Sequence, residues 1–113
     1  FLNLSSVVRY LLFSRNNILI VCAGWKGKVN LEDTLFAGAL VEKLKNHIEP
    51  DCDAPIIAQN LYNQAKGNLM GMLETSSHVK RLNRLNIHKD IEFCLTEDQY
   101  QVVPKLINNS LVC

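Results

Sequence analysis

No Cys-x-x-Cys pair occurs in the 113 residues, although four cysteines are present: Cys22, Cys52, Cys94 and Cys113. Their spacing supports neither a zinc site nor a disulfide framework. Cys22 and Cys94 fall inside apolar, strand-like runs, where a free thiol behaves as a small hydrophobe, and the expected setting is reducing and cytoplasmic. An excess of one charge is lacking too. Twelve basic residues against 11 acidic ones leave a net +1, which gives no electrostatic footprint for nucleic acid or an anionic membrane. The densest basic run, Lys80, Arg81 and Arg84, is short and reads as a solvated helix face. No run approaches the roughly 18 apolar residues that span a bilayer. With no signal peptide in view, the sequons at Asn3 and Asn108 read as chance matches. The expectation is a soluble chain with neither nucleic acid nor membrane as partner.

What is present has the pattern of an α/β chain, expected as a single domain over residues 1–113 with helices on a small, partly parallel sheet. The opening reads like the middle of an amphipathic element, so the sheet is expected to be an incomplete half of a larger fold. Leu4, Val7, Val8, Leu11 and Leu12 recur at helical spacing, broken by Asn16 and Asn17. Ile18 to Cys22 is continuous and branched, the pattern of a central strand covered on both faces. A glycine-bearing loop, Ala23 to Val29, leads into a helix predicted from Asn30 to about Asn46. Gly38 inside that helix costs up to ~1 kcal/mol against Ala and points to close packing. Asp53 is placed to cap a third helix, Ala54 to Lys66, with Gly67 ending it. Asn68 to Glu74 reads as a short helix, and Ser76 or Ser77 caps the next, with Val79, Leu82 and Leu85 facing inward and Asn86 closing it. Ile91 to Leu95 alternates loosely as a strand. Tyr100 to Val103 is an apolar segment stopped by Pro104, and Leu111 to Cys113 is a last short strand after an Asn-Asn turn.

The strand-loop-helix stretch from Ile18 to Leu44 carries the best candidate site, because ligands of open α/β sheets bind beyond the carboxyl ends of strands. Two phosphate motifs almost fit its loop. For a Walker loop, Cys22 stands where the first Gly belongs and Val29 where a hydroxyl residue should follow Gly27-Lys28. For a cysteine phosphatase, Lys28 stands where Arg should fork the phosphate oxygens. Neither is satisfied. Glu32 and Asp33 open the helix. In the bland reading they complement the helix dipole, worth ~0.3–1 kcal/mol each; in the sharper one they hold a hard cation such as Mg2+. His47, His78 and His88 show no paired spacing. Ser77 and His78 sit at a helix start, where His78 would donate to an anion or merely complete a capping turn.

With VCAG at Val21 to Gly24, LEDTLFAGALVEKL at Leu31 to Leu44, SSHVKRL at Ser76 to Leu82 and DIEFCLTEDQYQVVP at Asp90 to Pro104, the chain resembles the 2-phosphosulfolactate phosphatase family, magnesium-dependent hydrolases of coenzyme M biosynthesis and their bacterial relatives. The resemblance runs in order through nearly all of the chain. It implies hydrolysis of a phosphate ester on a small phosphorylated, sulfonated hydroxy acid, with Mg2+ as cofactor. Carried over residue by residue, Glu32 and Asp33 would be metal or catalytic carboxylates and Gly24 would let backbone approach the ligand. Lys26 or Lys28 would help hold sulfonate or phosphate, and Ser77 and His78 would complete the substrate-binding set. Two departures count against full activity. Nothing corresponds to the family's amino-terminal half, with its acidic and glycine-rich motifs, and Val79 stands where many relatives have Gly. The competing expectation is a non-catalytic relative serving subunit association, a homo-oligomer whose exposed sheet edge is covered by another copy.

Overall fold

A computed structural model describes residues 1–85 and 89–113; the expectations for Asn86 and His88 lie outside these. In chain order the elements are α1 (Leu4–Ser14), α2 (Leu31–Leu44), α3 (Asp53–Ala65), α4 (Leu69–Leu73), α5 (Ser77–Asn83), α6 (Lys89–Leu95), β1 (Lys105–Ile107) and β2 (Ser110–Val112). The class is α/β, mostly helical, and the sheet among the described residues is one antiparallel pair, β1 with β2. No parallel pair occurs among those residues.

The core is built on α2. Leu35, Ala39, Leu40 and Leu44 are buried along it, and the first three share one cluster with Tyr62 and Ala65 of α3, Leu73 of α4, Val79 of α5 and Ile91 of α6. Leu4 of α1, Leu35, Leu44 and Leu73 are sealed from solvent, each contributing roughly 1.5–3 kcal/mol by burial. Gly38 marks the closest helix approach: a Cβ there would lie 2.0 Å from the Ala58 carbonyl oxygen and 2.8 Å from Tyr62 Cβ. The packing inferred from this glycine is thus with α3, and any side chain at this position would push the two helices apart. A polar clasp joins the same pair. The Glu42 carboxylate accepts from Gln59 Nε2 at 2.8 Å and Asn63 Nδ2 at 3.0 Å, and pairs with Lys45 at 2.7 Å.

The start of α1 is held from far along the chain. The Ser5 amide donates to Asp98 Oδ1 at 2.7 Å and its hydroxyl to Oδ2 at 2.5 Å, so a carboxylate in a later loop satisfies an orphan helix donor. The apolar segment around Tyr100 runs beside residues 1–3 as irregular chain; the Tyr100 amide donates to Leu2 O at 2.8 Å and Asn3 Nδ2 to Val102 O at 3.0 Å. Asn108 and Asn109 take φ of 48° and 60°, the left-handed pair that a two-residue hairpin turn requires.

Five expectations are corrected. Ile18 to Cys22 forms neither helix nor strand, and Leu19 and Val21 are 87% and 79% exposed while Ile20 packs on the core. Its composition fits a central strand, but the described residues contain no neighbouring strand to cover it. Ile91 to Leu95 is the helix α6, since Ile91 and Leu95 lie four apart on the inward face. Leu85 is 62% exposed just beyond α5. Cys22 and Cys94 are exposed, as are Cys52 and Cys113. Asp53 is the first residue of α3 and not its cap; Cys52 occupies that position with extended backbone and no side-chain bond.

The Glu42 clasp gives the α2–α3 pair a pH dependence. Hydrogen bonds from Lys45, Asn63 and Gln59 lower the Glu42 carboxyl from 4.5 to about 2. A depressed carboxyl stabilises the fold fully above its unfolded value and loses that contribution as pH falls through the folded one. Urea unfolding of wild type and Glu42→Gln between pH 6 and 2 checks this: the advantage of wild type is expected to shrink below about pH 4.5 and vanish near pH 2, whereas a constant difference would contradict it.

Candidate functional site

Three pieces of chain meet at the amino-terminal end of α2. The first is α2's own opening turn. Asn30 is buried with extended backbone, φ −104° and ψ 137°. It caps through its carbonyl, which receives the Thr34 hydroxyl at 2.9 Å and the Thr34 amide at 3.3 Å; its side chain makes no capping bond. Glu32 and Asp33 follow. Neither accepts a side-chain hydrogen bond from α2's own amides among the described residues, so their contribution to the helix is through its dipole alone.

The second piece is the loop. The Gly24 amide donates to Asp33 Oδ2 at 2.7 Å, which ties the loop to the helix start by a charge-assisted bond. Only glycine suits this position: φ is +65°, and a Cβ would lie 2.5 Å from the Lys28 carbonyl oxygen. The loop then reverses. Trp25 and Lys28 exchange backbone bonds of 2.9 and 3.0 Å around Lys26 and Gly27, with φ of 50° and 74°, a tight turn that places Lys26 at its tip.

The third piece is α5. Ser76, buried, is its cap and accepts from the Val79 amide at 3.0 Å. Val79 anchors α5 in the core. With that end fixed, His78 Nδ1 comes into direct contact with Glu32 Oε1. Both Glu32 oxygens and His78 Nδ1 are withdrawn from solvent, and beyond this mutual contact they find no hydrogen-bond partner among the described residues.

Of the residues singled out from sequence, the structure therefore brings together Gly24 with Asp33 and Glu32 with His78. Lys26 stands apart at the turn, its Nζ 6.0 Å from the Trp25 ring centroid. Ser77 is exposed and joins neither contact. One residue escaped the sequence reading. Arg81, taken there as part of a solvated basic face, stacks its guanidinium 4.0 Å from the Trp25 ring centroid. The available signal was its spacing: His78 and Arg81, three apart on a helix, share a face.

Glu32 and Asp33 line one cleft of about 390 Å3, whose other walls include Ile20, Val21, Cys22 and Phe36. Cys22 is exposed as a residue, but partial desolvation of its thiol in the cleft, and next the Asp33 carboxylate, push that thiol up from its ordinary value. That disfavours the thiolate that a nucleophilic cysteine needs and agrees with the incomplete phosphatase motif. Among the described residues no group of three or more His, Cys, Asp or Glu side chains is placed to hold a metal ion. The acidic pair is nonetheless suited to a hard cation: one oxygen of each carboxylate is engaged, by Gly24 or by His78, and Glu32 Oε2 is buried without a donor.

An acidic helix start that faces a glycine turn on one side and a histidine on the other makes up the candidate site of this helical α/β unit. The comparison with known proteins is more specific. Residues 1–109 match the family described as 2-phosphosulpholactate phosphatase, and the chain belongs to that family. It is similar to proteins named probable 2-phosphosulfolactate phosphatase: at 43% identity over 112 residues to that of Thermotoga petrophila and, equally, that of Thermotoga maritima, covering 99% of this chain and 48% of each relative. The protein of that name from Caldanaerobacter subterraneus is 42% identical over 108 residues, covering 95% of this chain and 45% of its own. The chain thus spans about half the length of the curated relatives it matches.

The glycine at the loop is open to a direct test. Gly24→Ala forces a side chain into the left-handed region and against the Lys28 carbonyl, at an expected cost of about 1–3 kcal/mol. Thermal unfolding checks it: Gly24→Ala should melt several degrees lower, and an unchanged midpoint would refute the assigned turn.

Proposed function

We propose that this chain supplies one half of a phosphatase that hydrolyses a small phosphorylated hydroxy acid, such as 2-phosphosulfolactate, to the hydroxy acid and phosphate, and that it acts together with the other half present in the longer relatives. The observation that carries the reading is that the two carboxylates lining one cleft, Glu32 and Asp33, are held by His78 and by the Gly24 amide, in a chain of this family. In the proposal Glu32 and Asp33 hold Mg2+ through the oxygens not engaged by His78 and Gly24. When bound, such an ion neutralises phosphate oxygens and polarises water.

The chain's own residues have separate tasks. A carboxylate on Nδ1 fixes the imidazole's orientation and leaves Nε2 of His78 to face substrate, as donor to a phosphate oxygen or acceptor of a proton. Gly24 holds the loop on Asp33 through its amide, and its missing Cβ makes room for the Lys28 carbonyl. In the proposal Ser77 and Lys26, which join neither pairing, contribute donors to the substrate's anionic groups. We place this activity in the cytoplasm.

A second reading has its own support. Leu19, Val21, Leu106 and Leu111 are more than two-thirds exposed, and Leu106 pairs with Leu111 across the hairpin; apolar surface of this kind marks an interface. On that reading the chain keeps the fold for subunit association, including homo-oligomers, without catalysis.

Assay with 2-phosphosulfolactate and Mg2+, using the protein joined to the remaining half of its relatives' length, separates the two. Glu32→Gln and Asp33→Asn are each expected to lower kcat at least 100-fold while the protein stays folded. Wild-type turnover in both variants would remove the proposed roles.

A further inference from the structure

We infer that Arg81, held on the ring of Trp25, is a specificity-determining residue: it recognises a second oxyanion of the substrate, a sulfonate or carboxylate remote from the phosphate. The inference rests on the phosphatase reading for the identity of the substrate but not for the existence of the anion site. Arg81 is half-buried on α5, and its guanidinium carbon lies over the Trp25 ring, 4.0 Å from the centroid. A cation–π contact of this kind uses the positive charge without consuming an N–H donor, so the donors stay available for the two hydrogen bonds by which arginine grips a planar or tetrahedral oxyanion. Among the described residues no carboxylate pairs with it. A second cation, Lys26, lies over the same ring at 6.0 Å.

Position gives the clamp its task. On α5, His78 meets Glu32 and Arg81 meets Trp25, so one helix face covers both the acidic start of α2 and the loop. Trp25 directly follows Gly24, whose amide is bonded to Asp33. The guanidinium therefore rests on the residue that directly follows the Gly24–Asp33 tie, outside the residues that line the cleft itself. A phosphorylated hydroxy acid carries its further acid group a few bonds from the phosphate, and lysine, a point charge without the fork, would not read it equally well.

Trp25 is the sole tryptophan of the chain, so its emission reports the clamp directly. Titration with isethionate, a sulfonate, and with lactate, a carboxylate, is expected to give a saturable change for at least one of them. Arg81→Met should weaken that response roughly tenfold or more and Arg81→Lys partly restore it. No saturable change in wild type, or the same titration in Arg81→Met, would overturn the inference. In the joined protein, Arg81→Met should lower kcat/KM for 2-phosphosulfolactate at least tenfold more than for glycerol 2-phosphate, which has no second acid group, with the loss mainly in KM. Equal losses on the two esters would also overturn it. If wild type hydrolyses neither ester while the titration behaves as expected, the phosphatase reading fails and the anion site stands.

Discussion

The contact between Glu32 and His78 is the constraint on which the site depends. It joins the first turn of α2, the central helix, to α5, a helix of seven residues too short to hold its position by its own backbone bonds. Ser76 and Val79 fix one end of α5 to its cap and to the core; the carboxylate fixes the histidine side. Only with α5 so placed does Arg81 reach Trp25, and only with Asp33 bonded to Gly24 does the loop stand where Trp25 can receive it. Three segments distant in sequence are thus registered by two carboxylates that are adjacent in sequence.

The scaffold behind them is rigid for a separate reason. Gly38 allows α2 and α3 to approach until Cα meets backbone, and Glu42 closes the same seam with amide donors from α3. The packed side of α2 faces this core, while its amino-terminal end projects toward the cleft. Catalytic or binding groups mounted on such an end are held by the helix as a whole. Of the apolar residues that remain uncovered, Val21 lies on the side of the same cleft formed by residues 20–23, with Leu19 two residues before it. In relatives twice as long, chain outside these 113 residues is available to cover that side.

What could be read from the sequence was what is local. The stripe of α1, the acidic start of α2, the packing demand of Gly38, the serine cap of α5 and the Asn-Asn turn each depend on residues within one or two turns, and each is found. Ile18 to Cys22 was misread because burial is not a property of a segment: branched apolar residues fit a central strand, yet a strand needs neighbours that the described residues do not supply. Ile91 to Leu95 was misread because a five-residue apolar run satisfies alternation and helical spacing alike. The acids, the glycine and His78 were legible as candidates, but not their pairing, which follows from tertiary placement. Arg81 was hidden by its company of Lys80 and Arg84, since a basic run on a short helix looks solvated until the tryptophan that covers one member is known.

The most direct measurement of this account is a double-mutant cycle on stability, with Glu32→Gln, His78→Gln and the double variant unfolded in urea. The account predicts that the two substitutions are non-additive, with a coupling of about 0.5–3 kcal/mol as expected for residues in contact. Additivity within error would show that Glu32 and His78 do not bind each other, and the site as assembled here would be wrong.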